Sequence, residues 1–141
     1  MVTQFGIHIK IKDINESLKF YLAFGLKPEF AYGDKTFLRK LTGIPTAPEK
    51  YHGVIFNISG ALFEIADGHV AVKPKIFKET IRNSKTSAML YVTSVAKVVK
   101  ICQKNGFQIV VQPKIFPWGT KEVVVKDPDG FILVFIEKLK N

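Results

Sequence analysis

Asp127-Pro128-Asp129-Gly130-Phe131-Ile132-Leu133-Val134-Phe135-Ile136-Glu137 is the stretch that decides the fold. Its Asp, Pro and Gly residues make a tight turn, and the apolar run behind them reads as a buried strand. Ser59-Gly60-Ala61-Leu62-Phe63-Glu64-Ile65 is a weaker echo, a glycine followed by alternating faces. The fourth residue after the glycine is Glu64 in one copy and Val134 in the other. Upstream, residues 11–26 read as a strand end, a helix and a glycine stop, and residues 92–107 have the same grammar. Asp13 and Ser94 stand 81 residues apart, as do Gly25 and Gly106. A repeated supersecondary unit follows. The units cover about 1–70 and 84–141, joined by a linker at about 67–83, within a single domain 1–141.

The 141 residues are 47% hydrophobic and carry a formal net charge of +9. That length supports one core-bearing domain. No run approaches the ~20 apolar residues of a membrane helix. Lys10, Lys12 and Asp13 interrupt the stretch where a signal peptide would be apolar, so a cytoplasmic protein is expected. The single cysteine, Cys102, excludes an internal disulfide and lies among apolar neighbours, as a small core residue. The positive charge comes from scattered lysines; Arg39 and Arg82 are the only arginines. Nucleic-acid readers lean on arginine and on clustered basic patches, so a lysine-rich surface that favours anionic ligands is the expectation.

Phe5, Ile7, Ile9 and Ile11 alternate with Gly6, His8, Lys10 and Lys12, a strand pattern. Asp13 with Glu16 predicts a capped helix, and Ile14, Leu18, Tyr21 and Leu22 form its apolar stripe. Gly25 ends it and Pro28 bars its continuation. Residues 35–41, 51–58 and 62–66 read as strands, and a short helix is predicted near 76–81. The second unit reads as strand 88–92, helix 95–104, strand 108–112 stopped by Pro113, a Phe116-Pro117-Trp118-Gly119 loop, and strands 122–126 and 131–137. The fold class is therefore α+β: two β-α-β-β-β modules forming a curved mixed sheet around a central cavity.

Asp13-Ile14-x-x-Ser17-x-x-Phe20-Tyr21 with Gly25-Leu26, then Pro117-Trp118-Gly119, then Asp127-Pro128-Asp129-Gly130 span nearly the whole chain in this order. With these motifs the chain resembles the vicinal oxygen chelate superfamily, the glyoxalase, bleomycin-resistance and extradiol-dioxygenase group. The resemblance implies a homodimer. It also implies a divalent metal held by four side chains, one from the first and one from the last strand of each module. The corresponding positions here are Gly6, Glu64, Ser87 and Val134. Only Glu64 is a good ligand; glycine and valine donate nothing and neutral serine is poor. His8 shares the face of Gly6, yet a His8–Glu64 pair is still short of the three or four ligands a site needs. No metal and no cofactor are expected.

His8, Lys10, Leu62, Glu64, Ser87, Met89, Tyr91, Ile132, Val134 and Ile136 are predicted to share the cavity face, with Trp118 beside them as a stacking surface. Glu64 should be paired, with His8 or Lys10 as partner, and the two candidates for acid–base chemistry are Glu64 and His8. His52 and His69 show no partner in sequence. The expected function is metal-independent binding of a small molecule, neutral or anionic, in the manner of drug-sequestering proteins. Cationic bleomycin itself suits a +9 chain poorly. The rival is a glyoxalase-like lyase or isomerase, or a dioxygenase, on a rebuilt metal site.

Overall fold

The computed structural model describes residues 1–140. The chain divides into two compact units, one ending at Glu79 and one starting at Thr80. The first holds β1 (Gly6–Lys10), α1 (Ile14–Ala23), β2 (Pro28–Gly33), α2 (Lys35–Leu38), β3 (Thr46–Pro48), β4 (Gly53–Ile58) and β5 (Ala61–Ala66), then a 3-10 turn at Pro74–Lys78. Its five strands run in the order β1-β5-β4-β2-β3. The second holds β6 (Ser87–Tyr91), α3 (Val95–Asn105), β7 (Gln108–Phe116), β8 (Thr120–Lys126) and β9 (Ile132–Lys138), ordered β6-β9-β8-β7. In each unit the first strand pairs parallel with the last; β5-β4-β2 and β9-β8-β7 then pair antiparallel in series, and β3 adds parallel to β2. The fold is α+β with two mixed sheets, as the repeat predicts. The first unit adds α2 and β3 to the β-α-β-β-β plan.

Helix ends follow from the sequence. The Asp13 carboxylate accepts from the amides of Asn15 (2.9 Å) and Glu16 (3.1 Å), and the Ser94 hydroxyl accepts from Lys97 N at 3.2 Å. Such caps contribute about 1 kcal/mol each. Gly106, at φ 70°, closes α3 in the left-handed conformation. A further cap was not legible in sequence: Glu137 on β9 accepts from Val95 N at 2.7 Å, placing a carboxylate at the positive end of α3. Cys102 is buried in α3, and burial pushes its thiol up, which suits a core residue rather than a nucleophile.

Four local expectations are corrected. Residues 35–41 are not a strand: Asp34 accepts from Phe37 N at 2.8 Å and starts α2, burying Phe37 and Leu41 at helical spacing. The strand lies upstream, opened by Pro28. Leu22 is 42% exposed, and α1 instead buries Ile14, Ser17, Leu18, Phe20 and Tyr21. The helical turn of the connection is Pro74–Lys78, not 76–81, because Pro74 opens it and Phe77 is its buried anchor. Pro113 does not stop β7. That strand is the edge of its sheet, and its register slips between Val111 and Lys114, so no ladder bond is demanded of Pro113.

The Asp127–Gly130 turn is closed from inside. Asp127 Oδ1 accepts from Asp129 N (2.9 Å) and Phe131 N (2.8 Å), and Asp127 is only 5% exposed. The carbonyl of Asp129 accepts from Ile81 N at 2.8 Å, which ties the segment before β6 to the turn. Asp127→Ala leaves two buried amides unpaired and is expected to destabilise the fold by about 2–4 kcal/mol. Urea unfolding checks this: a loss under ~0.5 kcal/mol would mean that water replaces the carboxylate.

Candidate functional site

Tyr21 of α1 touches the rings of Phe63 (4.9 Å) and Phe56 (6.1 Å), so that side of the first sheet is the core side. Alternation then puts Leu62 and Glu64 on the opposite face. Register adds His8, paired with Glu64, and Ile55, also paired with Glu64. Lys10 follows on the same face of β1. Tyr32 on β2 is paired with Gly53 and belongs to this face as well.

These residues form a compact polar cluster. The Tyr32 hydroxyl donates to Glu64 Oε2 at 2.6 Å. Its ring lies across Gly53, where an added Cβ would sit 2.1 Å from Tyr32 Cζ; glycine is what lets the phenol reach Glu64. Tyr51 packs edge-on against Tyr32 at 5.9 Å. Burial, then the hydrogen bond to Glu64 and the Glu64 charge, hold the Tyr32 phenol far above its ordinary pKa. His8 Nε2 stands 3.8 Å from Glu64 Oε2, is buried, and has no hydrogen-bond partner among the described residues. Burial depresses the His8 pKa; Glu64 opposes this, while Lys10 and His69 add to it. The His69 ring lies 5.6 Å from that of His8.

His8 stands beside Glu64 as expected, at 3.8 Å, while Lys10 does not, its Nζ lying 3.5 Å from the His8 carbonyl; the hydrogen bond to Glu64 comes from Tyr32, which no sequence motif assigned to the site. Gly53 opposite Tyr32 was the available signal, since a strand glycine marks a close approach.

On the second sheet α3 packs against β7, β8 and β9, and Val123, Val125, Leu133 and Phe135 are buried. Ser87, Met89 and Tyr91 occupy the other parity, in register with Ile132, Val134 and Ile136. Met89 and Tyr91 are exposed and Ile136 is buried. Trp118 is 67% exposed, stacked on Phe116 at 4.6 Å and 13°, and its Nε1 donates to Glu122 Oε2 at 3.3 Å.

Of the four positions that the resemblance assigns to a metal, only Glu64 carries a strong donor. Within the first unit Gly6 brings no donor, and the Glu64 oxygen nearest His8 accepts the Tyr32 hydroxyl. Within the second, Ser87 and Val134 bring one neutral hydroxyl. Among the described residues no group of three or more His, Cys, Asp or Glu side chains is placed to hold a metal ion.

His52 has a clear structural part. Its Nδ1 lies 2.8 Å from Asp67 Oδ2 and its Nε2 2.8 Å from Asp34 Oδ2, while its backbone amide donates to Asp67 Oδ1 at 2.7 Å. Only an imidazolium donates from both nitrogens. Burial pulls the His52 pKa down, but the hydrogen bonds to Asp34 and Asp67 and their charges prevail, and the net shift is upward. The contribution of His52 is therefore complete below about pH 6.5 and fades as pH rises through the elevated value. Asp34, lowered mainly by His52 and then by the Phe37 amide, contributes above its ordinary value of 3.8 and loses that as pH falls. The strap is strongest in the mildly acidic window between them. Melting-temperature scans from about pH 4 to 9 should show an alkaline decline that His52→Gln removes; superimposable profiles would rule the strap out.

The chain matches the Glyoxalase/Bleomycin resistance protein/Dioxygenase superfamily over residues 6–135. No curated protein matches it by sequence. Solved structures share the fold. A glyoxalase I variant from Zea mays superposes with a TM-score of 0.70 at 18% identity, covering 97% of this chain and 46% of its own. A superfamily member from Sphaerobacter thermophilus gives 0.63 at 18% identity and 98% coverage of both chains. The fosfomycin resistance protein FosX from Listeria monocytogenes, complexed with Mn(II) and sulfate, gives 0.60 at 14% identity, covering 97% of this chain and 91% of its own.

Proposed function

The chain belongs to the glyoxalase/bleomycin resistance protein/dioxygenase superfamily, and on that premise we propose that it is a metal-independent member binding a small neutral or anionic organic molecule. One observation carries the reading. At Glu64 the Tyr32 hydroxyl occupies a carboxylate oxygen at 2.6 Å, beside a His8 nitrogen left without a partner. An unpaired buried polar nitrogen costs about 1–3 kcal/mol, so a ligand that pairs it, or draws Glu64 onto it, gains that amount. Lys10 and the +9 charge favour a neutral or anionic occupant. Ligand contacts are assigned to His8, Lys10, Leu62 and Glu64 on the first sheet, and to Ser87, Met89, Tyr91, Trp118 and Val134 on the second. Glu64 and His8 are the candidates should proton transfer accompany binding. The setting we infer is a homodimer in the cytoplasm.

Calorimetric titration with Ni, Co, Mn and Zn tests this. The expected result is no stoichiometric site that depends on Glu64. Tight one-to-one binding lost in both Glu64→Ala and His8→Ala would overturn the proposal and establish a rebuilt metal site, with the lyase, isomerase or dioxygenase reading in its place. Native mass spectrometry of the purified protein should show a retained organic mass rather than a metal.

A further inference from the structure

The β7–β8 hairpin holds an indole in the open. The turn Phe116-Pro117-Trp118-Gly119 is closed by Gly119 N donating to the Phe116 carbonyl at 3.1 Å, with Gly119 at φ 89°. One indole face is stacked on Phe116, and the ring nitrogen is held by Glu122. Glu122 Oε2 is itself fixed by the Thr120 hydroxyl at 2.6 Å. An exposed tryptophan usually surrenders little freedom; this one is held by two contacts while remaining 67% exposed. Its ordering cost is already met before any ligand arrives.

The charges around it have one sign to spare. Register places Tyr91, Ile136, Glu122 and Lys114 in one row across the sheet, and Lys138, Thr120 and Phe116 in the next. Lys114 Nζ lies 5.3 Å from the Phe116 ring centroid, and Lys138 Nζ lies 5.3 Å from that of Tyr91. Glu122 is the acid of these two rows, and two donors hold one of its oxygens. The result around the indole is a flat aromatic platform with the Lys114 ammonium beside Phe116 and one committed carboxylate, while the Lys138 ammonium lies over Tyr91 on the opposite edge strand.

We propose that this patch is a stacking subsite for a planar aromatic carboxylate, with Trp118 as the platform and Lys114 supplying the positive charge. It deepens the small-molecule reading by naming a ligand class for the second sheet, and rests on that reading only for its biological use. A planar ring gains stacking on the free indole face, typically about 1–3 kcal/mol where bases stack on aromatic side chains. Lys114 selects anions over cations.

Trp118 is the only tryptophan, so a 5-fluorotryptophan-labelled protein gives a single assigned 19F resonance. Titration with 1-naphthoate at fixed ionic strength should shift it saturably. Cyclohexanecarboxylate, with the same charge but no planar ring, should leave it in place, as should 1-naphthylmethylammonium. Lys114→Ala should weaken 1-naphthoate binding about three- to tenfold, whereas Lys138→Ala should leave it unchanged. By calorimetry Trp118→Ala should abolish it, with circular dichroism confirming the fold. The metal titration at Glu64 and this 19F titration at Trp118 use different probes and readouts, so the metal-free reading and the subsite fail separately. No saturable shift at about 10 mM, or equal shifts from the cyclohexane acid or the ammonium compound, would overturn the proposal.

Discussion

Gly130→Ala is expected to destabilise the protein by about 3 kcal/mol, while Gly60→Ala costs about 1 kcal/mol. The two glycines have nearly the same backbone, φ 93° and φ 95°, so the left-handed penalty is common to both. Their surroundings differ. An added Cβ at Gly60 meets nothing within 4 Å, whereas at Gly130 it would lie 2.4 Å from the Ile81 carbonyl oxygen. A backbone oxygen cannot rotate away as a side chain can, and its neighbour Ile81 N is already bonded to Asp129. A ~3 kcal/mol loss is a large share of a domain's typical 5–15 kcal/mol. Urea midpoints of the two variants decide the matter, and equal losses would show that the segment before β6 yields freely.

The Tyr32 phenol of the wild-type protein should remain protonated well past the ordinary tyrosine value of about 10, and Glu64→Gln should bring its titration down. Burial is the leading cause of the elevation and persists in the variant; the hydrogen bond to a charged acceptor and the Glu64 charge do not. Because the folded pKa is raised, the stabilisation it reflects is present below about pH 10 and is lost as pH climbs toward the folded value. The 13Cζ resonance of Tyr32 reports the event directly. Gly53→Ala provides an independent arm, since its methyl would collide with the Tyr32 ring and hydroxyl and displace them from Glu64 while leaving both polar groups chemically intact. Superimposable Tyr32 curves in wild type and Glu64→Gln would mean that the 2.6 Å bond is not formed in solution.

The repeat was legible because it is written in local chemistry. Asp13 and Ser94 are side-chain caps, Gly106 is a left-handed stop, and the Asp127–Gly130 turn is a four-residue signal. Each acts within a few residues of itself, so spacing alone reveals it. Residues 35–41 read as a strand because Phe37, Leu38 and Leu41 serve either period over so short a run, whereas Asp34, one residue outside it, caps a helix. The polar cluster was half legible. Strand alternation placed His8 and Glu64 together, but the Tyr32 contact joins residues 32 apart through a strand that had not been recognised. The same holds for His52, whose two acids come from positions 34 and 67. No local pattern records a contact that only the closed sheet creates.

Pro113 governs how this protein behaves in a crowd. β7 is an edge strand, and Gln108-Ile109-Val110-Val111 is a β-prone run with Val110 and Val111 exposed. A straight, fully hydrogen-bonding edge of that composition would template a strand from another chain and grow. Here the register slips twice, between Ile109 and Val111 and again before Lys114, and proline removes a donor inside the second slip. An incoming strand can find only a few residues in step before the ladder breaks. The proline that failed to end the strand therefore guards its outer side, because the edge is too irregular to copy.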